Sequence, residues 1–314
     1  MVSAKKLHMS SKYLLYSLII FLYTDCIGQN VKLAGRVIND KTKLAIPYAS
    51  GFLVHQKKYF DADENGQYSI LADQSDSVSF ACIGFQSRLF SVKELISANK
   101  ISLKESVNTL EEVVVRSAVA ERIGIVNEKQ TTSFAGSTAN NYYQIVTLIK
   151  FTDTSKRGVI KNVLFKQKKF DADRPMRLHI YDVNEKGYPG VELLNRDVLI
   201  NKDNFNKGYL TIDVREQNIV INGKAFFVGV QWISPANKEI RKRGFIPDTG
   251  IGETTKLSSI YSYHNFTGIP GEWFTFYEHG IVLSSGEVEN WGGKDSKTMG
   301  NPRNMLASVD VIFF

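Results

Sequence analysis

The sequence predicts an all-β protein of two β-sandwich domains, the second jelly-roll-like. Three observations carry this. Apolar and polar residues alternate over short runs such as Met176 to Tyr181 and Ala225 to Trp232, the period of a strand. Turn pairs such as Asn65-Gly66 and Asn222-Gly223 separate the runs. Phe, Tyr and Trp make up 11% of the chain, which favours packed strands over disorder. A length of 314 residues suits two domains of ordinary size. They are read as 29–108 and 150–314, with 109–149 as a linker and 1–28 as a signal peptide.

The leader has three parts. A basic stretch ends at Lys12, a low-charge run rich in Leu and Ile extends from Tyr13 to Tyr23, and a short segment closes at Gly28. The apolar run has eleven residues, too few for a helical span, which needs about 20. Cleavage after Gly28 is the preferred reading. In the rival, Cys26 is the lipidated first residue of a lipoprotein, although Asp25 and Tyr23 stand where a lipobox has a small residue and a leucine. An uncleaved anchor is the third reading. Export places the mature chain in the periplasm or at the outer membrane of a Gram-negative bacterium. Cleavage removes Lys5, Lys6 and Lys12 with Asp25 and lowers the formal charge from +7 to +5. That excess is too small to point to nucleic acid.

Cleavage leaves Cys82 as the single cysteine, so neither an internal disulfide nor a disulfide-linked partner is expected. Its setting, Val78 to Ile83, is apolar and predicts a buried structural thiol.

The first domain reads as brief strands. Val31 to Val37 alternates, with Val31, Leu33 and Gly35 on one side, and Asn39-Asp40 breaks it. Ala49 to Val54 and Lys58 to Phe60 follow. Asp61 to Gly66 then turns the chain into Gln67 to Leu71. Asp76-Ser77 starts Val78 to Ile83, Gly84 offers a bend, Val92 to Ser97 reads as a brief helix, and Ile101 to Leu103 closes the unit. No element is long enough to bury itself, so a sandwich is the economical arrangement.

Gly35-Arg36-Val37, Ile46-Pro47-Tyr48-Ala49, Asp61 to Tyr68, Phe80 to Phe85 and Ile101-Ser102-Leu103 together resemble the carboxypeptidase-regulatory-like domain. The resemblance implies a transthyretin-like sandwich of seven strands, common in exported and outer-membrane proteins of Bacteroidota, with a regulatory or structural role and no peptidase zinc site. The trailing Leu110 to Val115 is similar to the segment that follows this domain in TonB-dependent receptors of that phylum.

In the second domain, Val159 to Lys166, Met176 to Tyr181, Val198 to Ile200, Tyr209 to Val214, Ile219 to Ile221, Ala225 to Trp232, Trp273 to Tyr277 and Ala307 to Phe314 read as strands. Tyr142 to Phe151 reads as a strand or a short helix, and Asp182 to Gly190 as a loop. Phe226, Val228, Val230 and Trp232 share one face, with Phe227, Gly229 and Gln231 on the other. Arg177 to Tyr181, Tyr188-Pro189-Gly190 and Phe226 to Trp232 resemble a sandwich domain of uncharacterised exported proteins of the same phylum, which implies architecture and setting but no reaction.

Motifs for catalysis are missing from the sequence. His55, His179, His264 and His279 form no zinc-binding spacing, and Gly-x-Ser-x-Gly does not occur. His179 reads as a packed histidine rather than a base partnered by Asp182. Thr249-Gly250-Ile251-Gly252 reads as a flexible loop without the lysine ending of a phosphate loop. Asp61, Asp63, Asn65 and Gly66 imitate the start of a calcium loop, but Ala72 stands where its closing Glu belongs. Neither a metal nor a cofactor is expected. The basic cluster Lys238 to Arg243 reads as a solvated loop.

Binding is the expected class. Trp291 and Asn290 lie in a loop-like Glu289 to Gly293 segment, and with Trp273, Tyr277 and Tyr188 they form the candidate ligand set. Val113, Val114 and Val115 either add to a partner's sheet edge or pack back on their own domain. The expectation is a non-catalytic envelope binding or assembly protein whose partner is an outer-membrane protein or a glycan. The alternatives are an uncharacterised hydrolase and an accessory subunit of an outer-membrane nutrient-uptake system.

Overall fold

The computed structural model describes residues 30–106, 119–134, 142–151, 153, 156–168, 175–222, 225–235, 251–257, 259–265, 267–269, 271–290 and 299–314. The leader at 1–28, Val113 to Val115, the Lys238 to Arg243 cluster and Trp291 lie outside the described residues.

The protein is almost entirely β. Its first part runs β1 (Asn30–Asn39), β2 (Ser50–Leu53), β3 (Lys58–Asp61), β4 (Gln67–Asp73), β5 (Ser77–Ala81), β6 (Arg88–Ser91), α1 (Val92–Ser97) and β7 (Lys100–Leu103). These strands form two sheets, ordered β4-β1-β7 and β3-β2-β5-β6. Leu33, Val37, Tyr68, Ile101 and Leu103 of the first sheet meet Leu53, Phe60, Val78 and Phe80 of the second. This inner face is what the alternation of β1 encodes. Gly51 sits where a Cβ would lie 2.0 Å from the Phe60 ring, so the ring crosses the strand only because no side chain is there. A capping box starts α1: the Ser91 hydroxyl accepts from the Glu94 amide while the Glu94 carboxylate accepts from the Ser91 amide.

The expected Asn65-Gly66 turn is present, with Gly66 at φ 71°. Asp63 Oδ1 accepts from the amides of Asn65 and Gln67 at 2.8 Å each, so turn chemistry accounts for the calcium-like residues.

The second part runs β8 (Glu121–Gly124), β9 (Thr132–Phe134), β10 (Tyr143–Lys150), β11 (Arg157–Lys166), β12 (Met176–Val183), β13 (Pro189–Glu192), β14 (Leu199–Ile200), β15 (Phe205–Asn206) and β16 (Tyr209–Asp213). It continues with β17 (Val220–Asn222), β18 (Ala225–Trp232), β19 (Ile251–Thr254), β20 (Ser262–Asn265), β21 (Phe274–Tyr277), β22 (Gly280–Leu283), β23 (Val288–Asn290), β24 (Asn304–Met305) and β25 (Ala307–Phe313). A nine-stranded sheet follows the order β13-β12-β18-β10-β20-β21-β22-β23, with β14 beside β12. A six-stranded sheet follows β15-β16-β11-β25-β8, with β17 beside β11, and a three-stranded sheet follows β24-β19-β9. Ile145, Leu178 and Val228 from the large sheet pack on Val163, Phe165, Ile212 and Val309 from the six-stranded one. A register shift between Ile160 and Asn162 puts Ile160 and Val163, an odd step apart, in the same core.

Two expectations change here. Residues 109–149 contain strands that pair within the second part: β8 with β25, β9 with β19, and β10 between β18 and β20. The β10 run is buried on both faces and so lacks the alternation that marks a half-exposed strand. Ile251 and Gly252, expected in a flexible loop, lie buried on β19. Gly252 leaves room for Gln130 and for the Lys166 carbonyl, each within about 3 Å of where a Cβ would stand.

Candidate functional site

The faces expected for β18 are observed, and both are buried. Phe226, Val228, Val230 and Trp232 enter the main core. The opposite face carries Arg177, His179 and Tyr181 from β12 beside Gln231, Gly229 and Phe227 from β18, with Gln144, Val146 and Leu148 from β10 next in line. Two things cover it: the first domain at one end and an aromatic cluster at the other.

At the first end the two domains meet over buried Arg177. Its guanidinium donates to Asp197 twice, at 2.6 and 3.0 Å, and across the joint to the Tyr48 carbonyl at 2.7 Å and Ser50 Oγ at 3.3 Å. Gln231 donates to the Tyr59 hydroxyl at 2.7 Å, which donates to Asp61 Oδ1 at 2.7 Å, while the Ser234 amide donates to Asp61 Oδ2 at 2.9 Å. Burial raises Asp61 to about 6, against the opposing pull of Arg177 and of the hydrogen bonds from Ser234, Tyr59 and Ser50. Asp61 and Asp63 thus serve a joint and a turn. No group of three or more His, Cys, Asp or Glu among the described residues could hold a metal ion.

His179 links the joint to the aromatic end. Its Nε2 lies 3.0 Å from Gln231 Oε1, its Nδ1 lies 2.6 Å from Glu192 Oε2 and 2.9 Å from the Tyr181 hydroxyl, and its ring stacks on Tyr181 at 5.3 Å. Asp182, the partner weighed in the sequence, instead accepts from the Val191 amide at 2.6 Å. Gln144 donates to the Tyr181 hydroxyl at 2.7 Å and accepts from Tyr142.

At the far end Val146, Phe227 and Trp273 form a buried floor, with Leu148, Tyr181, Val183, Tyr188 and Tyr263 packed on it half-exposed. Tyr188 meets Tyr263 edge-on at 5.1 Å, Tyr263 meets Phe227 at 5.8 Å, and Tyr181 meets Trp273 at 6.4 Å. Burial, then the neighbouring phenols of Tyr188 and Tyr277, raise Tyr263 above the usual tyrosine range. The Asp182 to Gly190 segment is a tight hairpin that presents Tyr188. Asn184 Oδ1 accepts from the amides of Lys186 and Tyr188, and Gly187 has φ 82°.

Of the expected ligand set, Trp273 at 5% exposure is floor rather than contact, Tyr188 lies partly buried against it, and Tyr277 is partly buried beside Tyr263. Asn290, expected in a loop, ends strand β23 and pairs with Gly280. Tyr181 and Tyr263 were not singled out in the sequence. The signal for Tyr181 was present, since it shares a strand face with Arg177 and His179, whereas the short β20 has no alternating run to mark Tyr263.

A second buried charge centre lies on the core side. Arg303 Nη2 donates to Glu253 Oε2 at 2.5 Å, and His264 Nε2 lies 3.8 Å from Glu253 Oε1. Burial, then the Arg303 charge, pushes His264 well below its usual range, so the ring is neutral. Burial holds Glu253 above the carboxylate range despite Arg303.

Fold and site define a tandem β-sandwich protein with a sealed polar joint and an aromatic sheet face. Residues 33–115 match the family model described as the CarboxypepD_reg-like domain, so the chain carries an N-terminal domain of that kind. No curated protein matches the chain. Among solved structures it is similar to the cysteine protease and lectin-like domains of a surface layer associated protein of Clostridium difficile, at 11% identity, with 93% of this chain and 65% of that one covered and a TM-score of 0.34. It is also similar to a provisionally assigned carbohydrate binding protein from Bacteroides uniformis, at 9% identity, with 90% and 97% covered and a TM-score of 0.19. The chain thus spans about 65% of the length of the first of these proteins.

Proposed function

We propose that the protein is a non-catalytic binding or assembly component of the cell envelope, and that it takes a glycan on the aromatic face of its nine-stranded sheet. One observation carries this. Tyr181, Tyr188 and Tyr263 lie partly buried over a floor of Val146, Phe227 and Trp273, with Tyr277 beside Tyr263, on the side of the sheet turned away from the main core. Such rings stack on sugar faces, and Asn184 holds the hairpin that presents Tyr188. The leader read at 1–28 supports export to the periplasm or outer membrane, and Val113 to Val115 supply the segment that would add to a partner's sheet edge. A hydrolase reading loses support at His179, which is buried and has both ring nitrogens engaged by Gln231, Glu192 and Tyr181.

A panel of neutral oligosaccharides followed by calorimetry on the hits tests the reading. Binding that weakens about tenfold or more in both Tyr188→Ala and Tyr263→Ala, with the melting curve kept, supports it. A panel without hits, or hits indifferent to both substitutions, overturns it.

A further inference from the structure

The first domain carries a recess on the outer side of its β4-β1-β7 sheet, lined by none of the aromatic-face residues. It has a volume of about 370 Å³ and is lined by Arg36, Ile38, Lys43, Lys100 and Ser102. Its origin is the register of a parallel pair: Arg36 stands opposite Lys100 and Ile38 opposite Ser102 on the face that Val37, Ile101 and Leu103 turn away from. Cross-strand neighbours of like charge repel, so Arg36 beside Lys100 costs stability unless something negative lies between them.

The third cation comes from the turn after β1. Asn39 Oδ1 accepts from the amides of Lys41 and Thr42, and Lys43 adopts φ 59°, a conformation that favours Gly or Asn. Lys43 also pairs with Asp40 at 3.3 Å, which holds the Asp40 carboxyl below its ordinary range. Asp40 lies beside the recess rather than in its lining and also bonds Ser102, so Arg36 and Lys100 remain as the two lining cations that it does not pair with. Arg36 Nε donates to the Asn65 carbonyl at 2.8 Å, which fixes the guanidinium.

The geometry points to an acidic-sugar site: this recess takes a carboxylate-bearing residue of an anionic polysaccharide. Arg36 and Lys100 hold the acid group, Lys43 reaches it with the ammonium donors that Asp40 leaves over, Ile38 lies under the apolar side of the ring, and Ser102, which donates to Asp40, accepts from a sugar hydroxyl. A concave site fits a group on a flexible chain better than a flat bilayer, which meets protruding side chains.

The test is calorimetric titration of the full chain with oligogalacturonate, with neutral galactose oligomers and vesicles containing anionic lipid as the other arms. Oligogalacturonate is expected to bind, to weaken with added salt, and to weaken about tenfold or more in Lys43→Ala/Lys100→Ala, as loss of two charge-assisted contacts implies. Lys57→Ala/Lys58→Ala removes the same charge outside the lining, at the other sheet of the domain, and is expected to leave binding within twofold. Equal loss in both pairs, binding of the neutral oligomers with equal strength, or binding to vesicles alone each overturns the site. Tyr188→Ala, which tests the aromatic face, is expected to leave this binding unchanged, so the two readings fail separately.

Discussion

Arg177, buried, and Arg303, partly exposed, each pair with a carboxylate, and their surroundings differ. Arg177 lies between two domains and donates to groups of both: Asp197 and Gln231 on one side, Ser50 and the Tyr48 carbonyl on the other. Arg303 lies within the second domain and pairs with Glu253, yet Arg303 Nε and Glu253 Oε1 have no hydrogen-bond partner. A buried ion pair stabilises only when its remaining donors and acceptors are met. By that measure the joint is the better-built centre, and it couples two cores that would otherwise be neighbours on a string. The Arg303 centre is a charge pair that the core tolerates.

Breaking the joint is expected to have the largest effect. Arg177→Met leaves Asp61, buried, and Asp197, partly exposed, without their cation, a loss of about 3–5 kcal/mol. Because the joint is shared, the single calorimetric transition should split into two as the domains melt apart. Arg303→Met is expected to cost less, about 2–3 kcal/mol at pH 8, because Arg303 is partly exposed and burial already favours the protonated form of Glu253. Its cost should shrink as the pH falls, and Glu253→Gln/Arg303→Met should recover most of the loss, read by denaturant titration.

Asp61 sharpens the comparison through pH. Its carboxyl titrates at about 6 in the folded protein and near 3.9 unfolded. Between these values the folded state holds a proton that the unfolded state has released, so this group's contribution falls as pH rises through the window and is level above it. Asp61→Asn should flatten that part of the stability profile by about 2–3 kcal/mol, measured against the parent protein from pH 4 to 7. The smallest effect is expected at the aromatic face, where Tyr188→Ala should shift stability by under about 1 kcal/mol while weakening the proposed glycan binding about tenfold.

The fold was legible where alternation was clean. Strand β18 appears with its expected bounds, and α1 spans Val92–Ser97 as read. Strands β19 and β20 were missed because neither offers a run: Ile251–Thr254 and Ser262–Asn265 are buried at polar positions, held by Arg303 and Asn304 rather than by an apolar stripe. The joint was illegible for a related reason. Tyr59, Asp61, Arg177 and Gln231 look like surface residues one at a time, and only the docking of one sheet on another makes them mutual partners. Tyr188 and Tyr277 were singled out by residue type, but the company they keep depends on strand order, which local sequence does not encode.

Cys82 lies against this joint, its sulfur 3.9 Å from Asp197 Oδ2, and burial pushes its thiol up to about 12. At neutral pH almost no thiolate is present to react while the domains are docked. The rate at which a maleimide labels this position would therefore act as a clock for domain separation, ticking faster for every substitution that loosens the hold of Arg177.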